Sequence, residues 1–243
     1  ARRMLHERER LQQELDSTAD RPCGRLHLGA VPTAMPVLAR FAALLQARHP
    51  GTVPVLRSLS SPEIEAGLDG LSLDLGLGYT DRLTVAGAPR LVALPQYTEH
   101  YFLLRRQRGR ASAGLRFGRP IGWAEAARLP LCLLTPEMHN RSIVDQAFAA
   151  AGVQVSPAIE TNSIAALAVA VLAGEVCSVM PGALVGTLRG EGGLEALPLT
   201  APEVRTPIGF MQAPGERGTR TLQAALVLAG DPDWLAMAAA HSG

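Results

Sequence analysis

The chain has 243 residues, 47% hydrophobic and 19% charged, with a formal net charge of +1. Length and composition suffice for one large domain or two modest ones with a sizeable core, and they exclude a disordered or fibrous chain. The near-zero charge excludes a general electrostatic pull toward nucleic acid or membrane.

All 23 basic residues are arginines, scattered rather than gathered on one segment. Aromatic residues make up only 4%, so the core falls to Leu, Val, Ala and Ile. Cys23, Cys132 and Cys177 are odd in number and far apart, and two of them lie in apolar runs. That usage is expected of buried free thiols in a reducing compartment. No segment has the uninterrupted apolar length of a membrane helix. Residues 2–20 are charged throughout, with no apolar stretch of a signal peptide. A cytoplasmic protein with no membrane partner is the expectation.

In chain order, residues 1 to about 17 read as a highly charged helix with a narrow apolar stripe of Met4, Leu11 and Leu15. So thin a stripe suits a connection between domains, a partner helix or a solvated terminal helix. After Arg21-Pro22-Cys23-Gly24, strands and helices alternate. Residues 25–31 form a β-rich run with Leu26, Leu28 and Ala30 on one face. A helical pattern starts at Thr33, runs through Val37, Leu38, Phe41, Leu44 and Leu45, and ends near His49-Pro50. A second strand covers 53–59. Ser60 then caps a helix, with Pro62 in the first turn and Glu63 three residues on. The third strand, 73–78, carries Asp74. This order predicts a mostly parallel sheet with right-handed crossovers.

A β-like stretch over 90–104 leads away from that unit, and the pattern repeats. A short helix is expected over 123–128 and a strand over 129–134. A helix over 140–151 has Asn140 or Ser142 as its cap, and a strand follows over 153–160. Thr161-Asn162-Ser163 caps a very apolar helix through Ala173. A buried strand over 175–180 ends at Pro181. Strands over 194–199 and 205–212 and helices from Thr219 and Asp231-Pro232 complete the chain. Two α/β lobes result, the second inserted in the first, with two crossings making a hinge and a cleft. Open parallel sheets bind ligands beyond the carboxyl ends of their strands.

Catalytic signatures are lacking. The histidines, at 6, 27, 49, 100, 139 and 241, include no pair with metal-gripping spacing, and the cysteines form no CxxC motif. There is no nucleophile elbow and no phosphate-binding P-loop. Gly76-Leu77-Gly78 starts like a dinucleotide fingerprint, but Asp81 stands where the third glycine belongs, so a strand-end turn is expected. No cofactor and no metal are expected.

Polar residues that follow a strand and precede a helix remain as the candidate ligand set. They are Thr33 with its neighbours Ala34 and Met35, Ser60 and Ser61, then Thr135, His139, Asn140, Arg141, Thr161 and Asn162. The same Ser, Thr and Asn residues serve as helix caps worth roughly 1 kcal/mol apiece, so a structural and a binding reading both stand. Helix N-termini around a cleft present unpaired N–H groups to a carboxylate or similar anion. His139 and Arg141 add cationic donors on one loop.

Three stretches carry a family likeness. Gly24-Arg25-Leu26-His27-Leu28-Gly29, then Pro36-Val37-Leu38, Phe41 and His49-Pro50, form the first. Leu68-Asp69-Gly70-Leu71-Ser72-Leu73-Asp74-Leu75-Gly76-Leu77 forms the second. Thr161-Asn162-Ser163 through Val169, Ala173-Gly174 and Met180-Pro181 form the third. Their order and spacing, over about residues 22 to 240, resemble the effector-binding domain of LysR-type transcriptional regulators. Glu175 departs from the pattern, standing where the third stretch often has Gly.

The resemblance implies a two-lobed, type 2 periplasmic-binding-protein-like α/β fold with the second lobe inserted in the first and two crossover hinge strands. It assigns 1–20 to a linker helix, 22–97 and 209–243 to lobe I, and 98–208 to lobe II. It further implies a small effector between the lobes, a homodimer or homotetramer, and DNA binding only through a winged helix-turn-helix that this chain lacks. The alternative is a solute-binding protein of a transport system with the same fold. An enzyme on this scaffold would need an acid–base pair or a covalent nucleophile, and the candidate loops offer no obvious pair.

Overall fold

The structure, a computed structural model, describes residues 21–81, 91–107, 112–214 and 218–240. The helix expected over 1–20, with Met4, Leu11 and Leu15, lies outside the described residues. The chain divides into two compact units. One runs up to Thr98 and resumes with Pro207–Ala240, and the other is Glu99–Thr206. The second is an insertion in the first. Among the described residues, no helix is long and apolar enough to cross a membrane.

The first unit is built on strands β1 (Gly24–Ala30), β2 (Thr52–Ser58), β3 (Leu75–Tyr79), β4 (Val92–Glu99) and β12 (Thr206–Gln212), in the order β2-β1-β3-β12-β4. β1 runs parallel to β2 and β3, whereas β12 is antiparallel to β3. The sheet is therefore mixed, not parallel throughout. Leu26, Leu28 and Ala30 are fully buried, as period-two alternation demands. Helices α1 (Met35–Arg48) and α2 (Ser61–Asp69) follow β1 and β2, and α7 (Arg220–Ala229) and α8 (Pro232–Ala240) close the chain. Phe41 on α1 ties the core together, its ring 4.6 Å from Phe210 and 5.1 Å from Trp234. The Trp234 indole N–H donates to Gln96 Oε1 at 2.6 Å.

Two local expectations are corrected here. The helical pattern expected from Thr33 opens instead as a 3-10 turn, Pro32–Ala34, before α1. Pro36 has no N–H to give the carbonyl of Pro32, so that carbonyl takes the Met35 N–H three residues on. The glycines expected in a strand-end turn, Gly76 and Gly78, lie inside β3. A Cβ on Gly76 would sit 2.4 Å from Ile64 Cγ2, so glycine here lets α2 approach the sheet closely.

The second unit holds β5 (Tyr101–Arg106), β6 (Arg116–Phe117), β7 (Ile121–Gly122), β8 (Leu131–Leu134), β9 (Ile159–Thr161), β10 (Cys177–Pro181) and β11 (Leu194–Thr200). They form one sheet ordered β6-β11-β5-β10-β8-β9, with β7 paired to β11. β10, β8 and β9 are mutually parallel and β5 is antiparallel to both of its neighbours. Its helices are α3 (Trp123–Ala126), α4 (His139–Ala150), α5 (Ile164–Ala173) and α6 (Gly182–Val185), the last followed by a 3-10 turn, Gly186–Leu188. One core gathers Trp123, Val144 and Phe148; a second gathers Leu167, Val171 and Met180. Cys132 and Cys177 are buried, and Cys23 is partly exposed.

The stretch expected as one strand over 90–104 breaks at His100 into β4 and β5, which belong to different sheets. The strand expected over 153–160 contracts to Ile159–Thr161. Pro157 has no N–H for a ladder, while Val153 and Val155 still pack on the core without one. The cap of α4 is Met138, with no side-chain hydrogen bond, rather than Asn140 or Ser142. Strands β6 and β7, at two residues each, and helix α6 carry no period long enough to read in advance.

Candidate functional site

In the first unit, β1 and β2 run parallel with Ala30 opposite Ser58, so the loops that follow them leave the sheet at one end. Leu59 N–H donates to the Ala30 carbonyl at 2.9 Å and holds the two loops together. Thr33 is 2% exposed, and its hydroxyl lies 3.0 Å from the Tyr79 hydroxyl at the end of β3. Ala34 is buried and caps α1 without a side-chain bond; Met35 begins that helix, partly buried. The first turn of α1 contains no acidic side chain.

At the neighbouring helix, Ser60 forms the expected capping box. Its hydroxyl accepts from Glu63 N–H at 3.4 Å, and Ser60 N–H donates to Glu63 Oε2 at 2.8 Å. The Ser60 hydroxyl also donates to that carboxylate, at 2.7 Å, and this bond, followed by the backbone one, holds Glu63 below the usual carboxylate range. The N-terminus of α2 therefore already faces a negative charge. Ser61, the next residue, is 6% exposed, and its Oγ has no hydrogen-bond partner among the described residues. A buried hydroxyl without a partner forgoes about 1–3 kcal/mol, so this atom is equipped to meet a ligand or a water.

In the second unit, β8 and β9 run parallel with Leu134 opposite Thr161, and Thr135 N–H donates to the Thr161 carbonyl at 3.1 Å. The register thus brings the Thr135 and Thr161 loops together. The Thr135 hydroxyl donates to Glu137 Oε1 at 2.7 Å and lowers that carboxyl's pKa. Thr161 Oγ1 accepts from Ser163 N–H at 3.1 Å, while Ser163 itself caps α5. Asn162 is exposed.

His139 starts α4 and is partly buried. Asn140 is 5% exposed and donates to the Tyr101 hydroxyl at 3.3 Å, which in turn lies 3.3 Å from Thr206 Oγ1.

Arg141 is turned to the protein itself. Its Nε donates to Asp145 Oδ1 at 2.8 Å, and its Nη1 to Glu160 Oε1 and to the Leu134 carbonyl, each at 2.6 Å. Burial works against its charge, but the hydrogen bonds and charges of Glu160 and Asp145 outweigh it and raise the pKa. Such a guanidinium is balanced locally by two carboxylates. Among the described residues, no cluster of His, Cys, Asp and Glu is placed to hold a metal ion.

Sequence reading did not single out Tyr79, Tyr101 or Thr206. The two tyrosines carried a usable signal: a buried Tyr hydroxyl needs a polar partner, and Tyr79 and Tyr101 are each 3% exposed.

Residues 19–230 match the family model of the LysR substrate binding domain. The fold is similar to the C-terminal domain of a probable LysR family transcriptional regulator from Rhodococcus sp. RHA1, at 15% identity and TM-score 0.68, covering 86% of this chain and 100% of that one. It is similar to the reduced OxyR regulatory domain from Pseudomonas aeruginosa, at 19% identity and TM-score 0.66, covering 84% and 96%. Full-length CbnR, in a crystal structure with its target DNA, matches at 17% identity and TM-score 0.71, covering 94% of this chain and 76% of that one. At these identities the structural likeness is one of fold, the two-lobed periplasmic-binding-protein-like α/β fold of LysR regulatory domains. No curated protein matches the chain.

Proposed function

For a chain that belongs to the LysR substrate-binding-domain family, we propose that it senses a small anionic metabolite and relays occupancy to DNA binding and transcription. The ligand favours one arrangement of the subunits in a homodimer or homotetramer, and this moves DNA-binding heads carried by the full-length regulator in the cytoplasm. Binding without chemical conversion is the activity; the transport alternative has no specific observation in its favour.

The observation that carries the ligand site is the Ser61 hydroxyl, buried and without a partner among the described residues at the first turn of α2. Thr33 stands in the 3-10 turn after β1, where Ala34 caps and Met35 begins α1, while Ser60 caps and Ser61 begins α2. The anion is taken at the first turn of α1, where no acidic side chain competes. Within the second unit the proposed contacts are Thr135, His139, Asn140, Thr161 and Asn162, with Arg141 as a charge-balanced support for their loop.

Calorimetry with acetate, malonate, succinate and citrate tests the reading. Saturable heat with at least one, weakened about tenfold by Ser61→Ala as the loss of a hydrogen bond to a charged group implies, supports it. No heat with any of them, or undiminished affinity in both Ser61→Ala and Thr33→Val, overturns it.

A further inference from the structure

The five phenylalanines divide sharply by exposure. Phe41 and Phe210 are 0% exposed, Phe148 2% and Phe102 6%, whereas Phe117 is 50% exposed. Leaving half an aromatic ring in water forgoes a large share of the apolar burial it could contribute. Phe117 sits on β6, the edge strand of the seven-stranded sheet, and borders a cavity of about 510 Å3, within the size range of small-molecule sites. Every residue lining this cavity belongs to the second unit, and none is in the candidate set above.

The walls are chemically asymmetric. Phe102, Phe117, Leu199 and Val204 supply apolar surface, and the Phe102 and Phe117 rings meet edge-to-face at 5.9 Å. Arg189 supplies a cation, its guanidinium carbon 5.9 Å from the Phe117 ring centroid. The lining carboxylate, Glu203, is charge-balanced by Arg205, whose Nε and Nη2 donate to Oε1 at 3.0 and 2.7 Å. The cavity thus combines an aromatic wall with an adjacent fork of N–H donors, the two halves of a receptor for an aryl carboxylate.

We propose that the second unit carries a second ligand site, in which a small arylalkanoate packs its ring against Phe117 and Phe102 and its carboxylate against Arg189. The aryl ring extends the edge-to-face pair by a third ring, and the guanidinium, held over Phe117, meets the anionic end. This site shares no lining residue with the proposed effector set, though Asn140 of that set bonds to Tyr101, which lines it.

The test follows the exposed ring itself. The full chain carrying 4-fluorophenylalanine is titrated with 3-phenylpropanoate, 3-phenylpropanamide and acetate while its fluorine resonances are recorded, Phe117 being assigned by its loss in Phe117→Ala. The Phe117 resonance is expected to shift saturably with 3-phenylpropanoate and not with acetate. Arg189→Gln is expected to raise the half-saturating concentration of the carboxylate about tenfold and leave that of the amide unchanged. By calorimetry on the unlabelled chain, Phe117→Ala weakens 3-phenylpropanoate about fivefold, the scale of one aromatic contact. Ser61→Ala leaves the titration unchanged. A Phe117 resonance that stays put to the solubility limit, or moves equally with acetate, or an Arg189→Gln variant that binds the carboxylate as tightly as before, overturns the proposal. Because Phe117 and Arg189 lie at the surface of the cavity, both variants are expected to keep the far-ultraviolet circular dichroism of the parent.

Discussion

Thr33 and Tyr79, on the loop after β1 and at the end of β3, share a buried hydroxyl–hydroxyl hydrogen bond of 3.0 Å. It fixes the loop that leads into α1 to the end of β3, the parallel neighbour of β1. The bond therefore links the strand ends to the helix N-terminus on which the proposed anion site rests. Thr33→Val and Tyr79→Phe each remove one partner, and each is expected to cost about 1–2 kcal/mol. The double variant is expected to cost less than the sum, with a coupling of about 1 kcal/mol for residues in direct contact. Urea unfolding of the four proteins measures the cycle; strict additivity would show that the two hydroxyls do not act on each other.

Gly76 is where the sheet and α2 come closest. An added Cβ would lie 2.4 Å from Ile64 Cγ2, and Ile64 is fully buried. Gly76→Ala is expected to destabilise the chain by about 1–3 kcal/mol, the usual cost of overpacking a core. Ile64→Ala removes the clashing Cγ2, so its own cost is expected to be smaller in the Gly76→Ala background than in the parent. Thermal melting of the single and double variants reads both effects.

Glu195 on β11 is 3% exposed and bonds to Arg105, with Nε to Oε2 at 2.9 Å, and to Arg116, with Nε to Oε1 at 3.0 Å. Burial alone would raise its pKa, but the two guanidinium groups override it and hold the carboxyl below its ordinary value of 4.5. A depressed folded pKa contributes stability above the unfolded value and loses it as pH falls through the folded one. Glu195→Gln is therefore expected to flatten the acid limb of the stability curve below pH 4.5. At neutral pH it is expected to cost about 2 kcal/mol, less than a fully buried pair, because the arginines are partly exposed and screened by solvent. Stability measured against pH in the two proteins checks the sign. An acid limb as steep in the variant as in the parent would remove Glu195 from that account.

Features legible in advance are those whose physics closes within one helical turn or one strand. The Ser60–Glu63 capping box is read correctly because donor and acceptor stand three residues apart. Ser163, with Thr161 and Asn162, marks the start of α5 for the same reason. Leu26, Leu28 and Ala30 are read as one buried face because alternation along a strand is local. Arg141 is different. It reads as a cation offered to a ligand, yet one of its carboxylate partners, Glu160, arrives from a separate strand nineteen residues away.

The sequence by itself thus determined most of the strands and helices, the caps at Ser60 and Ser163, the insertion of one α/β unit in another and the likeness to a LysR sensor. These follow from periodicity and from hydrogen bonds that span a few residues. Only the tertiary structure decided which polar groups are committed and which remain available. Strand register and helix packing set the Thr33–Tyr79 bond, the pairing of Arg141 with Glu160, the pairing of Glu195 with Arg105 and Arg116, the unpartnered hydroxyl of Ser61 and the half-bare ring of Phe117. A side chain's partner is chosen by distance in space, and residues far apart in the chain learn that distance only when the sheets assemble.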